Sequence, residues 1–176
     1  MKSAGLMHVY YGDGKGKTTA ALGLALRAYG QGFQAVILQF FKGSFSGELA
    51  ALEKLPGIKV LRGQSGGKFL SSMSREEKEA LRHAHDGMLR EALALAKQGA
   101  CGLLVLDEAL DACRLSMLDE SILADLLECR SGGMEVVITG HQAVDWIMEK
   151  ADYVTEMVKR KHPYDRGITA RKGIEY

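Results

Sequence analysis

The segment Gly12-Asp13-Gly14-Lys15-Gly16-Lys17-Thr18-Thr19 constrains this chain more than any other. It follows a short apolar run, Leu6 to Tyr11, and opens a helical pattern, Thr18 to Tyr29, stopped by Gly30 and Gly32. A glycine-rich turn between a strand and a helix can fold so that its N–H groups converge on phosphate oxygens at the helix N-terminus. A lysine at that point adds positive charge, and a hydroxyl beside it can ligate Mg²⁺. Lys17 and Thr18 supply those two groups. The usual spacing G-x-x-x-x-G-K-[ST] asks for glycine at position 11, where this chain has Tyr11. The loop is a variant, with its first glycine displaced to Gly12 and a second lysine, Lys15. The bland alternative is a glycine turn with chance lysines. Position, Lys-Thr ending and flanking strand together argue against it.

Strand and helix patterns alternate along the rest of the chain. Phe33 to Phe41 is β-rich, Ser46 to Leu55 is a short helix ended by Pro56-Gly57, and Ile58 to Leu61 is a brief strand. Gly63 to Ser72 is a loop of Gly, Ser and Lys. Ser74 to Gln98 carries the clearest helical signal, because Ser74 and Glu77 have capping-box spacing. Leu81, Ala84, Met88, Ala92, Leu95 and Ala96 recur along one face of it. Leu103 to Leu106 is unbroken and apolar, as in a strand buried on both faces, and ends in Asp107-Glu108. Asp119 to Arg130 and Gln142 to Ala151 read as helices, Glu135 to Thr139 and Tyr153 to Val158 as strands. This alternation implies an α/β fold, a mostly parallel sheet with helices on both faces. A length of 176 residues suits a single domain, residues 1–176.

Composition narrows the partners. Lys plus Arg number 23 and Asp plus Glu 22, a net charge of +1, and 47% of residues are hydrophobic. That balance suits a packed core and speaks against a partner held mainly by bulk charge, such as a nucleic-acid backbone or an anionic membrane, while leaving room for a local basic site. The opening apolar run is too short for a signal segment, and no stretch approaches the roughly 20 apolar residues of a membrane span. A cytoplasmic location follows. Cys101, Cys113 and Cys129 are odd in number without C-x-x-C spacing, which reads as buried free thiols rather than a disulfide or zinc framework. The five histidines are scattered, with His83 and His85 on a helix face that reads as solvated. No thiol has a His–Asp neighbourhood, so the nucleophile of any reaction is expected to come from a substrate.

The Asp107-Glu108 pair ends a buried strand some ninety residues after the loop. Carboxylates at the C-terminal edge of such a sheet are placed to serve a nucleotide's Mg²⁺. The nucleotide reads as ATP, because guanine sites of this kind use Asn-Lys-x-Asp and the chain contains no asparagine.

The loop GDGKGKTTAALGLALRA, the strand end VLDE, the VVITG strand, the segment ADYVTEM and the ending KHPYDRGITARKGIEY together resemble the P-loop class of ATP:corrinoid adenosyltransferases, from about Met7 to Tyr176. The resemblance implies a P-loop NTPase-like fold of the RecA-like variant. It also implies transfer of the 5′-deoxyadenosyl group of ATP to the cobalt of a reduced corrinoid, with release of triphosphate, in adenosylcobalamin biosynthesis or salvage. Gly12, Asp13, Gly14, Lys15, Gly16, Lys17, Thr18 and Thr19 would cradle the triphosphate, with Lys15, Lys17 and Thr18 catalytic and Arg27 near the phosphates. Thr18 and Glu108 would hold Mg²⁺ or Mn²⁺, with Asp107 as a ligand or just behind one. Phe69 would pack on the corrinoid. Reduced flavin or flavodoxin would supply electrons, and two chains would form a homodimer.

The chain departs from the family pattern in several places. Asp13 stands for a common asparagine, His141 for an arginine, and no tryptophan follows Phe69. Relatives with a longer N-terminus cover the corrinoid with it, whereas this chain starts almost at its first strand. Two other readings stay open: a P-loop kinase of a small hydroxyl substrate, and a non-catalytic protein that binds ATP or corrinoid.

Overall fold

In a computed structural model of the chain, which describes residues 5–43, 46–63 and 68–175, six strands make one sheet. The strands are β1 (Met7–Tyr11), β2 (Ala35–Gln39), β3 (Ile58–Arg62), β4 (Leu103–Asp107), β5 (Glu135–Gly140) and β6 (Tyr153–Glu156). Their order across the sheet is β3-β2-β4-β5-β1-β6, and every pairing is parallel. The helices are α1 (Lys17–Gly30), α2 (Gly47–Leu52), α3 (Arg75–Lys97), α4 (Ala109–Arg114), α5 (Glu120–Glu128) and α6 (Asp145–Lys150). The architecture is that of a P-loop NTPase-like α/β protein.

Because side chains alternate along a strand, the sheet feeds two apolar layers. Ala35, Ile37, Leu103, Val105 and Val137 pack with Ala21, Leu22 and Ala25 of α1 and with Leu52 of α2. Val36, Leu38, Leu104, Leu106, Val136 and Ile138 pack on the other side with α3, α4, α5 and Ile147 of α6. Strands β2 and β4 are buried at every residue. This is why they read as continuous apolar runs rather than alternating ones.

Several sequence expectations are corrected. Helix α4, Ala109–Arg114, is not among the elements read from the sequence. Helix α6 is shorter than the Gln142–Ala151 pattern, and β6 stops at Glu156 with all four residues exposed. In α3 the capping box is present: Glu77 N donates to Ser74 Oγ at 3.2 Å and Ser74 N to Glu77 Oε2 at 2.8 Å. Its buried stripe, however, contains Leu81, His85, Met88, Leu89 and Ala92, while Ala84 is exposed. His85 is therefore not on a solvated face; it is wholly buried, and only His83 is exposed. Cys101 and Cys113 are buried free thiols as expected, whereas Cys129 is half-buried.

His85 fastens α3 to two loops. Its Nδ1 lies 2.8 Å from the Met117 carbonyl oxygen and so carries the proton. The other nitrogen then accepts from Phe41 N at 3.5 Å, and the rings of Phe40 and Phe41 meet the imidazole edge-on. Burial holds the His85 pKa below its ordinary 6.5. A pKa lowered on folding contributes stability that is present above about pH 6.5 and lost as pH falls toward the folded value. The unfolding free energy of wild type, measured in urea, is expected to drop between pH 7.5 and 5.5. In His85→Gln that slope should be shallower, and an unchanged slope would exclude His85 as its source.

Candidate functional site

The C-terminal ends of β1, β2, β4 and β5 converge on a cavity of about 450 Å³. Ligand sites in open parallel sheets form at this edge, where the strand order reverses. Here β1 hands the chain across β5 and β4 to β2, so the loop after β1 faces the carboxylates that end β4.

The glycine loop lies against the chain leaving β6. Gly14 N donates to the Met157 carbonyl at 2.7 Å, and Gly12 N to the His141 carbonyl at 3.1 Å. A Cβ on Gly14 would come within 2.6 Å of Met157 O, so backbone proximity requires glycine there. Gly16 has φ 114° and precedes α1 directly, which leaves the first-turn N–H groups of the helix without a side-chain cap. These are the donors a phosphate would take.

Lys17 and Thr18 begin α1. Lys17 Nζ curls back to the carbonyls of Gly12 (2.7 Å) and Gly14 (2.8 Å). Burial lowers its pKa, opposed by Asp111, Asp13, Glu108 and Asp107. Thr18 Oγ1 donates to Asp107 Oδ1 at 2.7 Å. Asp107, wholly buried, also accepts from Thr139 Oγ1 (2.8 Å), Lys42 Nζ (2.6 Å) and Gln39 Nε2 (3.3 Å). Glu108 sits in the left-handed region at φ 66° and lines the cavity. Burial raises its pKa; Lys42 opposes the rise, and Asp107 and Asp111 add to it. Asp111 in turn accepts from His141 N at 3.1 Å and pairs with His141 Nδ1 at 3.0 Å.

The C-terminal tail makes the opposite wall, with His162, Gly173, Ile174 and Glu175 on the cavity. Lys15 Nζ is 2.9 Å from Glu175 Oε1. Arg171 grips the same carboxylate through its backbone N–H, Nε and Nη2, and together these cations and donors pull the Glu175 pKa down to about 2. Asp13 turns away from the cavity and accepts from Lys159 N at 2.9 Å, so it anchors the tail.

Of the residues named from sequence, Gly14, Lys15, Gly16, Lys17, Thr18, Thr19 and Glu108 are brought together on the cavity, with Asp107 directly behind. Arg27 is not. It lies in the last turn of α1, about 15 Å along the helix from Lys17. There it lines a separate small cavity with His8, Leu24, Phe33 and Glu135. Phe69 is 82% exposed between β3 and α3 and does not line the main cavity. The glycines Gly66 and Gly67 of the Gly63–Ser72 loop lie outside the described residues. Lys42, Thr139, His141 and the tail went unread as cavity residues. A lysine directly after the apolar run FQAVILQFF was the one local signal for Lys42.

The oxygen set of Thr18, Asp107 and Glu108 suits a hard divalent cation such as Mg²⁺, which takes few protein ligands and keeps waters and phosphate oxygens. Gln39 Oε1 is buried beside Asp107 without a hydrogen-bond donor among the described residues. A water carried by such a cation is the kind of donor that would satisfy it.

The sequence profile of the family described as ATP:corrinoid adenosyltransferase BtuR/CobO/CobP matches residues 3–176. A corrinoid adenosyltransferase of Pseudomonas aeruginosa is 34% identical over 174 residues, covering 98% of this chain and 84% of that protein. The corrinoid adenosyltransferase CobA of Salmonella typhimurium is 32% identical over 173 residues, 98% of this chain and 86% of its own length. A corrinoid adenosyltransferase of Escherichia coli K12 matches to the same extent.

The close approach of Gly14 to Met157 makes a sharp test of the cradle. Gly14→Ala forces the loop away from a backbone that β1 already holds through Met157 N to Tyr11 O. Losing one amide hydrogen bond to a charged phosphate costs about 1.5 kcal/mol or more, so ATP affinity by calorimetry should fall at least about tenfold. Wild-type affinity would show that the cradle does not depend on this contact.

Proposed function

Since the chain belongs to the ATP:corrinoid adenosyltransferase family, we propose that it transfers the 5′-deoxyadenosyl group of ATP to the cobalt of a reduced corrinoid and releases triphosphate. The observation that carries this reading is a glycine cradle whose two lysines share one cavity with Thr18 and Glu108, Asp107 lying directly behind. The protein is an enzyme of the transferase class.

The nucleophile in this reaction is the substrate's own reduced cobalt, attacking C5′ of ATP. The carbon–cobalt bond forms as the C5′–O bond breaks, and the whole triphosphate leaves with the bonding pair. Negative charge therefore grows over the leaving group, and preorganised cations and N–H donors aimed at it lower the barrier. Lys17, Lys15 and the first-turn amides of α1 are those groups. Both lysines are engaged by acceptors of the chain itself, Lys17 by loop carbonyls and Lys15 by Glu175, and each would exchange its acceptor for phosphate oxygens.

Thr18 and Glu108 are the residues that would hold Mg²⁺ or Mn²⁺, which supplies further charge neutralisation at the triphosphate. Thr18 gives its proton to Asp107, so its lone pairs face the cavity. Asp107 thus orients the Thr18 hydroxyl and adds its own charge to the metal position. The thiols fit a reaction without a protein nucleophile. Cys101 and Cys113 are buried away from the cavity, and burial pushes them up to about 11 and about 12.

Among the described residues no helix is long and apolar enough to cross a membrane. We place the reaction in the cytoplasm, with reduced flavin or flavodoxin as the electron source and a homodimer as the working form. These follow from the family reading.

The deciding assay mixes the protein with ATP, Mg²⁺ and chemically reduced corrinoid and follows the cobalt–carbon product together with triphosphate. Stoichiometric product and triphosphate are expected. ADP formed with a hydroxyl acceptor would instead indicate a kinase, and tight ATP binding without turnover a binding protein. Lys17→Ala should abolish turnover while leaving the circular dichroism spectrum intact. Phe69, exposed on the connection after β3, is assigned to the corrinoid. Phe69→Ala should lower the rate more from a cobalt(II) start than from cobalt(I), and equal effects would remove that role.

A further inference from the structure

Lys42 is a cation of this site that the loop motif does not contain. It follows Phe41 at the exit of β2, where the Phe41 backbone takes the left-handed conformation at φ 58°. Phe41 N is held by His85, which aims the next side chain into the cavity. The Lys42 ammonium lies 2.6 Å from Asp107 Oδ2, 3.4 Å from Thr18 Oγ1 and 4.0 Å from Glu108 Oε1. These are the three side chains whose oxygens suit a divalent cation. The contact with Thr18 matters most. Its hydroxyl proton points to Asp107, so Lys42 reaches the lone pair that a metal would use.

An ammonium and a divalent cation cannot share those oxygens, because like charges at about 4 Å repel strongly in a partly buried site. The surroundings are otherwise strongly attractive to cations. Asp107 lies directly behind the cavity, Glu108 lines it, and Asp111 pairs with His141 on its wall. The Lys42 side chain is about one-quarter exposed and lines the cavity, so its flexible stem can leave Asp107 without disturbing the fold. A triphosphate entering the cradle brings both ligands for a metal and new acceptors for the displaced ammonium.

We propose that Lys42 is an internal cation that occupies the metal position, so that a divalent cation enters only together with the triphosphate and Lys42 then turns to the phosphates. This rests on the nucleotide and metal reading of the same site. It goes beyond that reading by assigning the order of binding to one residue.

The test uses Mn²⁺ alone, titrated into the nucleotide-free protein while free Mn²⁺ is counted by electron paramagnetic resonance. Removing a unit charge this close to the metal should tighten Mn²⁺ binding by at least about tenfold in Lys42→Met. Lys42→Arg, which keeps the charge, should bind Mn²⁺ as weakly as wild type. Lys42→Gln guards against loss of the fold, since it retains a polar contact to Asp107, and it too should bind more tightly. Mn²⁺ should also raise the Tm of the two uncharged variants more than that of wild type. Equal Mn²⁺ affinity in wild type, Lys42→Met and Lys42→Gln overturns the proposal while leaving the site reading intact, provided wild type binds Mn²⁺ with ATP. Failure of wild type to bind Mn²⁺ even with saturating ATP overturns the metal reading, and the role of Lys42 with it.

Discussion

The Asp107 carboxylate is the interaction on which the site is built. It sits at the end of β4 and is wholly buried, so each of its oxygens must find donors within the protein. It finds them in four residues on three pieces of chain: Thr18 at the start of α1, Gln39 at the end of β2 with Lys42 just beyond it, and Thr139 on β5. A buried carboxylate left without these partners would be strongly unfavourable, so they gather around it and the sheet edge acquires a defined shape. The glycine loop, the cation after β2 and the acidic strand end are brought together through this one group.

The same economy of pairing governs the other charges. Lys15 is met by Glu175, Lys17 by the loop carbonyls, and Lys42 by Asp107. Each cation of the cavity thus has an acceptor from the chain itself, and a polyanionic ligand would replace all of them at once. The arrangement keeps a cluster of positive groups from repelling one another, and it keeps them oriented. The tail belongs to this scheme. Arg171 and Lys15 share one carboxylate, while Asp13 holds the chain at Lys159, so the last residues form a wall of the cavity.

Much of this was legible before any coordinates. The Gly12–Thr19 loop, the buried strand ending at Asp107 and the capping box of α3 depend on turn chemistry and periodicity within a few residues. Short-range rules of this kind survive folding. Where the structure differs from the sequence pattern, each difference has its own cause. His85 was placed on solvent because histidine is ordinarily exposed, yet the stripe Leu81, His85, Met88, Leu89 runs beneath it, and partners at Phe41 and Met117 make burial tolerable. Helix α4 follows the acidic strand end directly, with no polar break to mark its start. Arg27 follows the loop closely in sequence, but ten residues of helix carry it far from the cradle.

By itself, then, the sequence determined an alternating α/β chain, a glycine-rich turn between a strand and a helix, and a pair of carboxylates at a strand end, because each is written in neighbouring residues. Only the tertiary structure decided that β5 lies between the loop strand β1 and the acidic strand β4, and that Thr139 is thereby delivered to Asp107. It alone decided that Lys42 faces Thr18 and Glu108, and that Glu175 reaches Lys15 across 160 positions of sequence. The physical reason is the same in each case. A polar group removed from water is satisfied by whichever donor the packing brings near, and no periodicity in the chain records that choice.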